Sequence, residues 1–466
     1  MKKKIIAVVV ALVLIIGGGI GYAAIPVGAS KDVEKVILDT QDGAIRVGIM
    51  SDSQLGQEAF FQGYLEDALD LFKTQKVNMI LNMGDYTDTA LKENYAGYRG
   101  AFDSVYGEEK PIVQSVMGNH DYWLPDFVKC WRIPFKGTLQ RRFMKNTGES
   151  SPWTHKVVNG YHFIAASPSN GGMDEQAYAK KIDWLREQIE LAVKDDASKP
   201  IFVLTHSNPK DTVYMSEDKE GCKNLDELFS QYPQVVSISG HSHAPLMDAK
   251  SIYQKNYTAL NTQCLSYVCF AEGDADVVQD NGDFISEVPM AMIMTIADNR
   301  VTFDRYDVIS GELEGGEWSL DLPVTKHTFT YTDEIRSAQS PAPVWPESFQ
   351  YSVTKGKDAD GKETDVLNFT AAVHPIALRY YEVCFTDAEG KPVEIQTGDK
   401  DTDKKTTLRF MSDYARMPDS RAETASFALP AKYRESLPAG TYTVTVKATD
   451  SFGNLSEAQT MEIVLL

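Results

Sequence analysis

Seven residues with metal-ligating side chains, Asp52, Gln54, Asp85, Asn119, His206, His241 and His243, each follow a short apolar, strand-like run. They fall in SDSQ (51–54), GDYTD (84–88), GNHD (118–121) and GHSH (240–243), with His206 standing alone after PIFVLT. Taken singly, such residues are usually structural: Asp85 would cap a helix, and His206 would be a satisfied strand-end histidine. Oxygen and imidazole donors repeated at successive strand ends are what a hydrolytic centre built on two cations needs.

The elements that must position them are legible in the pattern of apolar residues. Runs at 44–52, 77–85, 111–120, 160–167, 199–207 and 235–243 predict strands, each closing on small or polar residues. Helix-like periodicity separates them at 58–74, 94–105, 174–193 and 224–229. Continuous apolar strands alternating with helices predict an α/β unit whose sheet is largely parallel or mixed and covered on both faces. Ligands of such sheets gather outside the carboxyl ends of the strands, where these seven residues fall.

The stretch 124–155 has weak periodicity and reads as an inserted loop region beside the site. Residues 291–308 predict a β-hairpin turning at Asp298–Asn299. Pro341, Pro343 and Pro346 mark a boundary, and alternating β-like segments beyond it predict a small all-β sandwich of immunoglobulin-like or fibronectin-like type. The expected organisation is therefore a leader at 1–30, an α/β domain at 35–335 and a β-sandwich at 345–466.

The ordered pieces resemble the calcineurin-like metallophosphoesterase superfamily, whose pattern is D-x-H, G-D-x-x-D, G-N-H-D/E, a lone His after a strand, then G-H-x-H. The resemblance covers roughly residues 45–310 and departs at one position, where Gln54 replaces the commoner His. It implies a four-layer αββα sandwich and two divalent or transition metal ions, manganese, iron or zinc. Carried over by position, Asp52, Gln54, Asp85 and His243 would hold one metal, and Asp85, Asn119, His206 and His241 the other. A water shared by the two metals would attack the phosphorus of a phosphomonoester or phosphodiester. His120 would face the substrate phosphate as a catalytic group, with Asp121 orienting its imidazole and Asp88 fixing the loop or a ligand. Gln54 offers a neutral amide oxygen, a weaker donor than imidazole, so the first metal would bind less tightly or favour manganese-like ions.

Other features bound the answer. A formal net charge of −20, with no basic block beyond Lys2–Lys4, argues against a nucleic-acid-binding surface. Lys2–Lys4 precede an apolar run from Ile5 to about Ile25 and then VGAS. That is the pattern of a signal peptide cleaved near Ala29 or of an uncleaved anchor with its positive end inside, and it predicts an extracytoplasmic protein, membrane-associated if uncleaved. The cysteines, at 130, 222, 264, 269 and 384, include no CxxC; Cys264 and Cys269 either bridge or are buried thiols. His155 and His162 fit packing or surface roles, and Tyr86, Tyr122, Trp123, Asn208 and Tyr214 flank the motifs without an assignable role.

Two other classes stay open from sequence alone. One is a surface binding protein whose phosphoesterase domain has degenerated, using the sandwich to meet a cell-surface partner. The other is a metallohydrolase of a non-phosphate ester or amide. GNHD weighs against the second, because its histidine suits a phosphoryl oxygen.

Overall fold

The computed structural model describes residues 25–466 except 41, 57–62, 125–134, 218–220, 272, 278–283, 287, 399, 401 and 417–420. The expected signal peptide or anchor therefore lies almost wholly outside the described residues. Among these, no helix is long and apolar enough to cross a membrane. The chain folds into two compact units. The first comprises the chain to His243, Gln254–Ser266 and Pro289–Phe329; the second takes Ala244–Tyr253, Tyr267–Val288 and Thr330–Leu466.

Among the described residues the first unit holds two large sheets, beside a two-residue pairing of Asn208–Pro209 with Gly221–Cys222. Its early strands are β1 (Val33–Val36), β2 (Ile45–Met50), β3 (Met79–Asn82), β4 (Ile112–Ser115), β5 (Trp153–Val158), β6 (Tyr161–Ala166) and β7 (Ile201–Thr205). One sheet runs β1-β5-β6-β7 and continues through Val235–Ser239 and Thr258–Asn261. From β6 onward these strands are parallel. The other sheet runs from Leu313–Asp321 through Arg300–Asp307 and Met290–Ala297 to β2-β3-β4. Its last three strands are parallel, whereas Met290–Ala297 pairs antiparallel with β2. The predicted hairpin is present, with Asp298 in the left-handed region at its turn.

Burial explains why these strands show no alternation: β3 and β7 are buried along their whole length, so both faces are largely apolar. Helices Gly63–Thr74, Lys92–Tyr106 and Lys136–Thr147 bury Leu69, Phe72, Tyr95, Phe102 and Phe143 with Ile80 and Met50 of their sheet. Helix Ile182–Asp195 packs on β6 and β7 of the other sheet, burying Leu185, Ile189 and Ala192. Between the sheets, Gln114 Nε2 on β4 donates to the Phe163 carbonyl at 3.0 Å. This is the expected αββα arrangement. The expected loop at 124–155 differs: Lys136–Thr147 is a helix and β5 a strand. The short helix shows few apolar positions because it buries mainly Leu139 and Phe143, one turn apart on a single face.

Among the described residues the second unit carries two main antiparallel sheets, beside two short two-stranded ones. Tyr351–Lys357, Glu363–Thr370 and Thr424–Ala428 form one; Leu408–Met411, Leu378–Thr386, Gly440–Asp450 and Gln459–Leu465 form the other. Inward residues of both, including Leu367, Phe369, Val383, Phe410, Phe427 and Val444, make one core. Tyr442 near the start of Gly440–Asp450 donates its hydroxyl to the Pro438 carbonyl at 2.9 Å, a tyrosine corner as in immunoglobulin-like sandwiches.

Candidate metal centre

Every proposed ligand lies just beyond the carboxyl end of a strand. Asp52 and Gln54 follow β2, Asp85 follows β3, Asn119 follows β4, His206 follows β7, and His241 and His243 follow Val235–Ser239. The first two loops are zipped together: Asp52 N donates to Gly84 O at 2.9 Å, Gln54 N to Asp85 O at 3.0 Å, and Leu55 N to Tyr86 O at 3.0 Å. The loop after β7 joins the GHSH loop through Gly240 N to His206 O at 3.0 Å.

The backbone is bent to present these side chains. Asp52, Gln54, Asp85, His241 and His243 all have positive φ, between 41° and 69°. An L-residue in this left-handed region costs about 1 kcal/mol or more, so such residues gather where function over-determines the conformation. Neighbouring glycines leave the space: a Cβ on Gly118 would sit 2.0 Å from Asp85 Oδ1, and one on Gly240 would sit 2.5 Å from Asp52 Oδ2.

The side chains converge. Ligand atoms of Asp85, His206 and His241 lie within 4.8 Å of one another. His206 Nε2 is 3.3 Å from Asp85 Oδ2 and 2.9 Å from Asn119 Oδ1. His243 Nε2 is 3.3 Å from Asp52 Oδ1, and Asp52 Oδ2 accepts the His241 N–H at 3.1 Å and the Ser51 hydroxyl. Gln54 is buried with Oε1 3.5 Å from Ser266 Oγ. Asp52 Oδ1 is buried, with the His243 ring as its polar neighbour.

His120 is held differently from the expectation. Its Nδ1 donates to the Asp88 carbonyl at 2.8 Å with the Asp88 carboxylate 3.6 Å away, and its Nε2 is 4.0 Å from Asp85 Oδ2. Asp121 does not orient that imidazole. Its carboxylate instead accepts from Asp85 N at 3.0 Å, Gly118 N at 2.9 Å, Tyr95 OH at 2.9 Å and Thr87 Oγ1 at 3.3 Å. Asp121 is thus a clamp between the GDYTD and GNHD loops, because its side chain points back under the backbone of its own turn. Tyr95, Thr87, Ser51, Ser266 and Cys264, whose thiol hydrogen-bonds His243, support the site without lying in the motif pieces that carry chemistry, apart from Ser51 and Thr87. Only the folded chain brings them in, and no periodicity could have marked them. His155 and His162 lie elsewhere, in a chain from Gln188 Oε1 through both rings to Asp195 Oδ2.

The electrostatics are those of a site short of positive charge. Burial opposes ionisation of Asp85, but the imidazoles of His206, His120 and His241 hold its carboxyl well below the usual range. Burial disfavours a charged His206, yet Asp85 outweighs it and lifts the imidazole to about 9. Burial, then the Asp85 charge, pushes Asp121 up to about 7. Protons on histidines here stand where cations would, and metal binding displaces such protons. The donor set of carboxylates, imidazoles and amide oxygens fits divalent transition ions.

The cluster of carboxylate, imidazole and amide donors thus lies at the strand ends of a two-sheet αββα unit. Residues 45–245 match the family model described as calcineurin-like phosphoesterase. No curated protein matches the chain. Solved structures that resemble it include the GAP50 anchor of the inner membrane complex of Plasmodium, 14% identical, covering 64% of this chain and 94% of that one at a TM-score of 0.39. A dimetal phosphatase from Danio rerio is 9% identical, with 60% and 99% covered and a TM-score of 0.40. A purple acid phosphatase from yellow lupin is 11% identical, with 60% and 54% covered and a TM-score of 0.41. Among the described residues, Cys222, Cys264, Cys269 and Cys384 form no disulfide.

Proposed function

We propose that the chain hydrolyses a phosphate ester at a two-cation centre formed by Asp52, Gln54, Asp85, Asn119, His206, His241 and His243. The observation that carries this reading is the placement of Asp85. Its Oδ2 meets His206 Nε2 on one side, while its Oδ1 accepts the backbone N–H of His120 at 2.8 Å. Asp85 would serve both cations, Asp52, Gln54 and His243 one of them, and Asn119, His206 and His241 the other. Bound cations supply a nucleophilic water at neutral pH and positive charge for the phosphoryl oxygens.

The chain's own residues supply the rest. His206 donates Nδ1–H to the Met83 carbonyl at 2.7 Å, which turns Nε2 to the centre. His120, with Nδ1 spent on Asp88, presents Nε2 to a phosphoryl or leaving-group oxygen and can give that oxygen a proton. Asp121 fixes the loop that carries both Asn119 and His120. Gln54 contributes a neutral oxygen, which favours manganese-like ions at its cation.

The leader pattern of Lys2–Lys4 and the apolar run after it supports an extracytoplasmic setting, membrane-anchored if uncleaved. The sandwich at the C-terminus is available for a cell-surface partner.

Chromogenic mono- and bis-phosphate esters incubated with the full chain and manganese, zinc or iron test the reading. Metal-dependent turnover abolished by Asp85→Asn supports it, and the mono/bis ratio assigns the ester class. No turnover with any metal in folded protein moves the weight to a degenerate domain at Gln54, as would fewer than two bound metals per chain.

A further inference from the structure

Trp123 is the only aromatic side chain of the first unit, among the described residues, that is exposed. At 39% exposure, part of the indole surface is accessible. Its position is not accidental. The ring lies 3.9 Å, centroid to centroid, from the imidazole of His120, tilted by 37°.

The backbone around it is rigid. Trp123 N donates to His120 O at 2.9 Å, and Trp123 O accepts Ala90 N–H at 2.9 Å. The preceding Tyr122 is tied by its hydroxyl to the Pro168 carbonyl at 2.9 Å and receives Gln140 Nε2 at 3.1 Å. Opposite, the 168–172 loop comes close: a Cβ on Gly171 would lie 3.1 Å from Tyr122 Cβ and 3.5 Å from Trp123 Cδ1. One edge of the indole is thus packed, one face leans on His120, and the remainder is open.

Resting on the phosphoesterase reading above, we infer that Trp123 is a specificity-determining platform that stacks the flat aromatic ring of the leaving group, so that nucleoside phosphates are the favoured esters. His120 faces the phosphoryl group, so the surface next to it is where the leaving group must run. A rigid indole suits that role because an aromatic ring on a fixed backbone stacks a planar ring with little loss of conformational freedom. Every base has such a face, so the platform selects planar rings without reading their edges.

Two esters with the same phosphate and the same primary oxygen isolate the effect: adenosine 5′-monophosphate and ribose 5-phosphate. Binding to the full chain is measured by calorimetry and turnover with manganese, for the native protein, Trp123→Ala and Trp123→Phe. The expected result is that the adenosine ester binds and reacts about tenfold or more better than the ribose ester. Trp123→Ala removes that preference, bringing the ratio of the two esters near one, and Trp123→Phe keeps most of it. A native protein without preference, or a Trp123→Ala loss equal for both esters, overturns the platform; the latter would make Trp123 a support for His120 alone. Absence of turnover for both esters instead overturns the phosphoesterase reading. In that event the binding preference and its loss in Trp123→Ala still decide the platform.

Discussion

His206 and Met83 are joined by a 2.7 Å hydrogen bond from the imidazole Nδ1 to the backbone carbonyl, linking the strand end of one sheet to that of the other. The bond assigns the tautomer. It aims Nε2 at Asp85 and Asn119, and it makes the separation of the two sheets part of the centre's geometry. Four predictions follow from contacts of this kind.

Asp121 holds two backbone N–H groups, of Gly118 and Asp85, together with the Tyr95 hydroxyl. Asp121→Ala leaves these donors buried and unpaired, at about 1–3 kcal/mol each. Tyr95→Phe removes one donor and costs about 1 kcal/mol. Urea unfolding should rank the two in that order. Activity should fall steeply in Asp121→Ala through displacement of Asn119 and His120, whereas an equal stability loss in both would contradict the clamp.

Gly118→Ala places a methyl 2.0 Å from Asp85 Oδ1 and 2.6 Å from its backbone N. Metal content should drop well below that of the native protein. Gly148→Ala meets no atom within 4 Å but has φ +83°. It should cost only backbone strain, about 1 kcal/mol, with metal content unchanged. Metal analysis beside thermal melting separates the two effects.

Cys264 hydrogen-bonds the ring of His243, whose Nε2 faces Asp52. Partners behind a ligating imidazole set its orientation, and losing one typically weakens metal binding about 10- to 100-fold. Cys264→Ala should show that loss in a competition titration with a chelating dye, and Cys264→Ser, which keeps a polar atom, should recover part of it. Unchanged affinity in Cys264→Ala would remove the thiol from the centre.

Two buried groups outside the centre oppose each other in acid. Burial raises Glu149 from 4.5 to about 7, against the pull of Lys156. The folded state then binds the extra proton, so this group's contribution to stability is full below pH 4.5 and falls as pH rises through 7, by about 3 kcal/mol. Burial lowers His155 from 6.5 to about 4. Here the unfolded state binds the extra proton, and stability is lost as pH falls from 6.5 towards 4. Asp121, also raised to about 7, adds a second falling contribution over the same range, so Glu149 is isolated by difference. The stability of the native protein relative to Glu149→Gln should fall by about 3 kcal/mol as pH rises from 4.5 to 7. A difference that does not change with pH would contradict the assignment.

The strand-end placement of the metal-type residues is readable in the chain because each terminates an apolar run, and such runs have few structural alternatives. Asp52, Asp85, Asn119, His206 and His241 could be ordered on strand ends before any coordinates. Helix Lys136–Thr147 was not readable, since a single buried stripe of Leu139 and Phe143 gives too little periodicity in a short span. Nor was the partner of His120: Asp121 follows it directly in sequence, but adjacent residues on a tight turn point apart, and the imidazole meets the carbonyl of Asp88.

The sequence by itself determined the chemistry available, because residue types and their place after β-like runs are local properties. Tertiary structure alone decided how that chemistry is arranged. The left-handed backbone at Asp52, Gln54, Asp85, His241 and His243 opposes local preference, and the clamp by Asp121 and Tyr95 joins segments far apart in the chain. Such features exist only when packing of the two sheets supplies the energy to hold them.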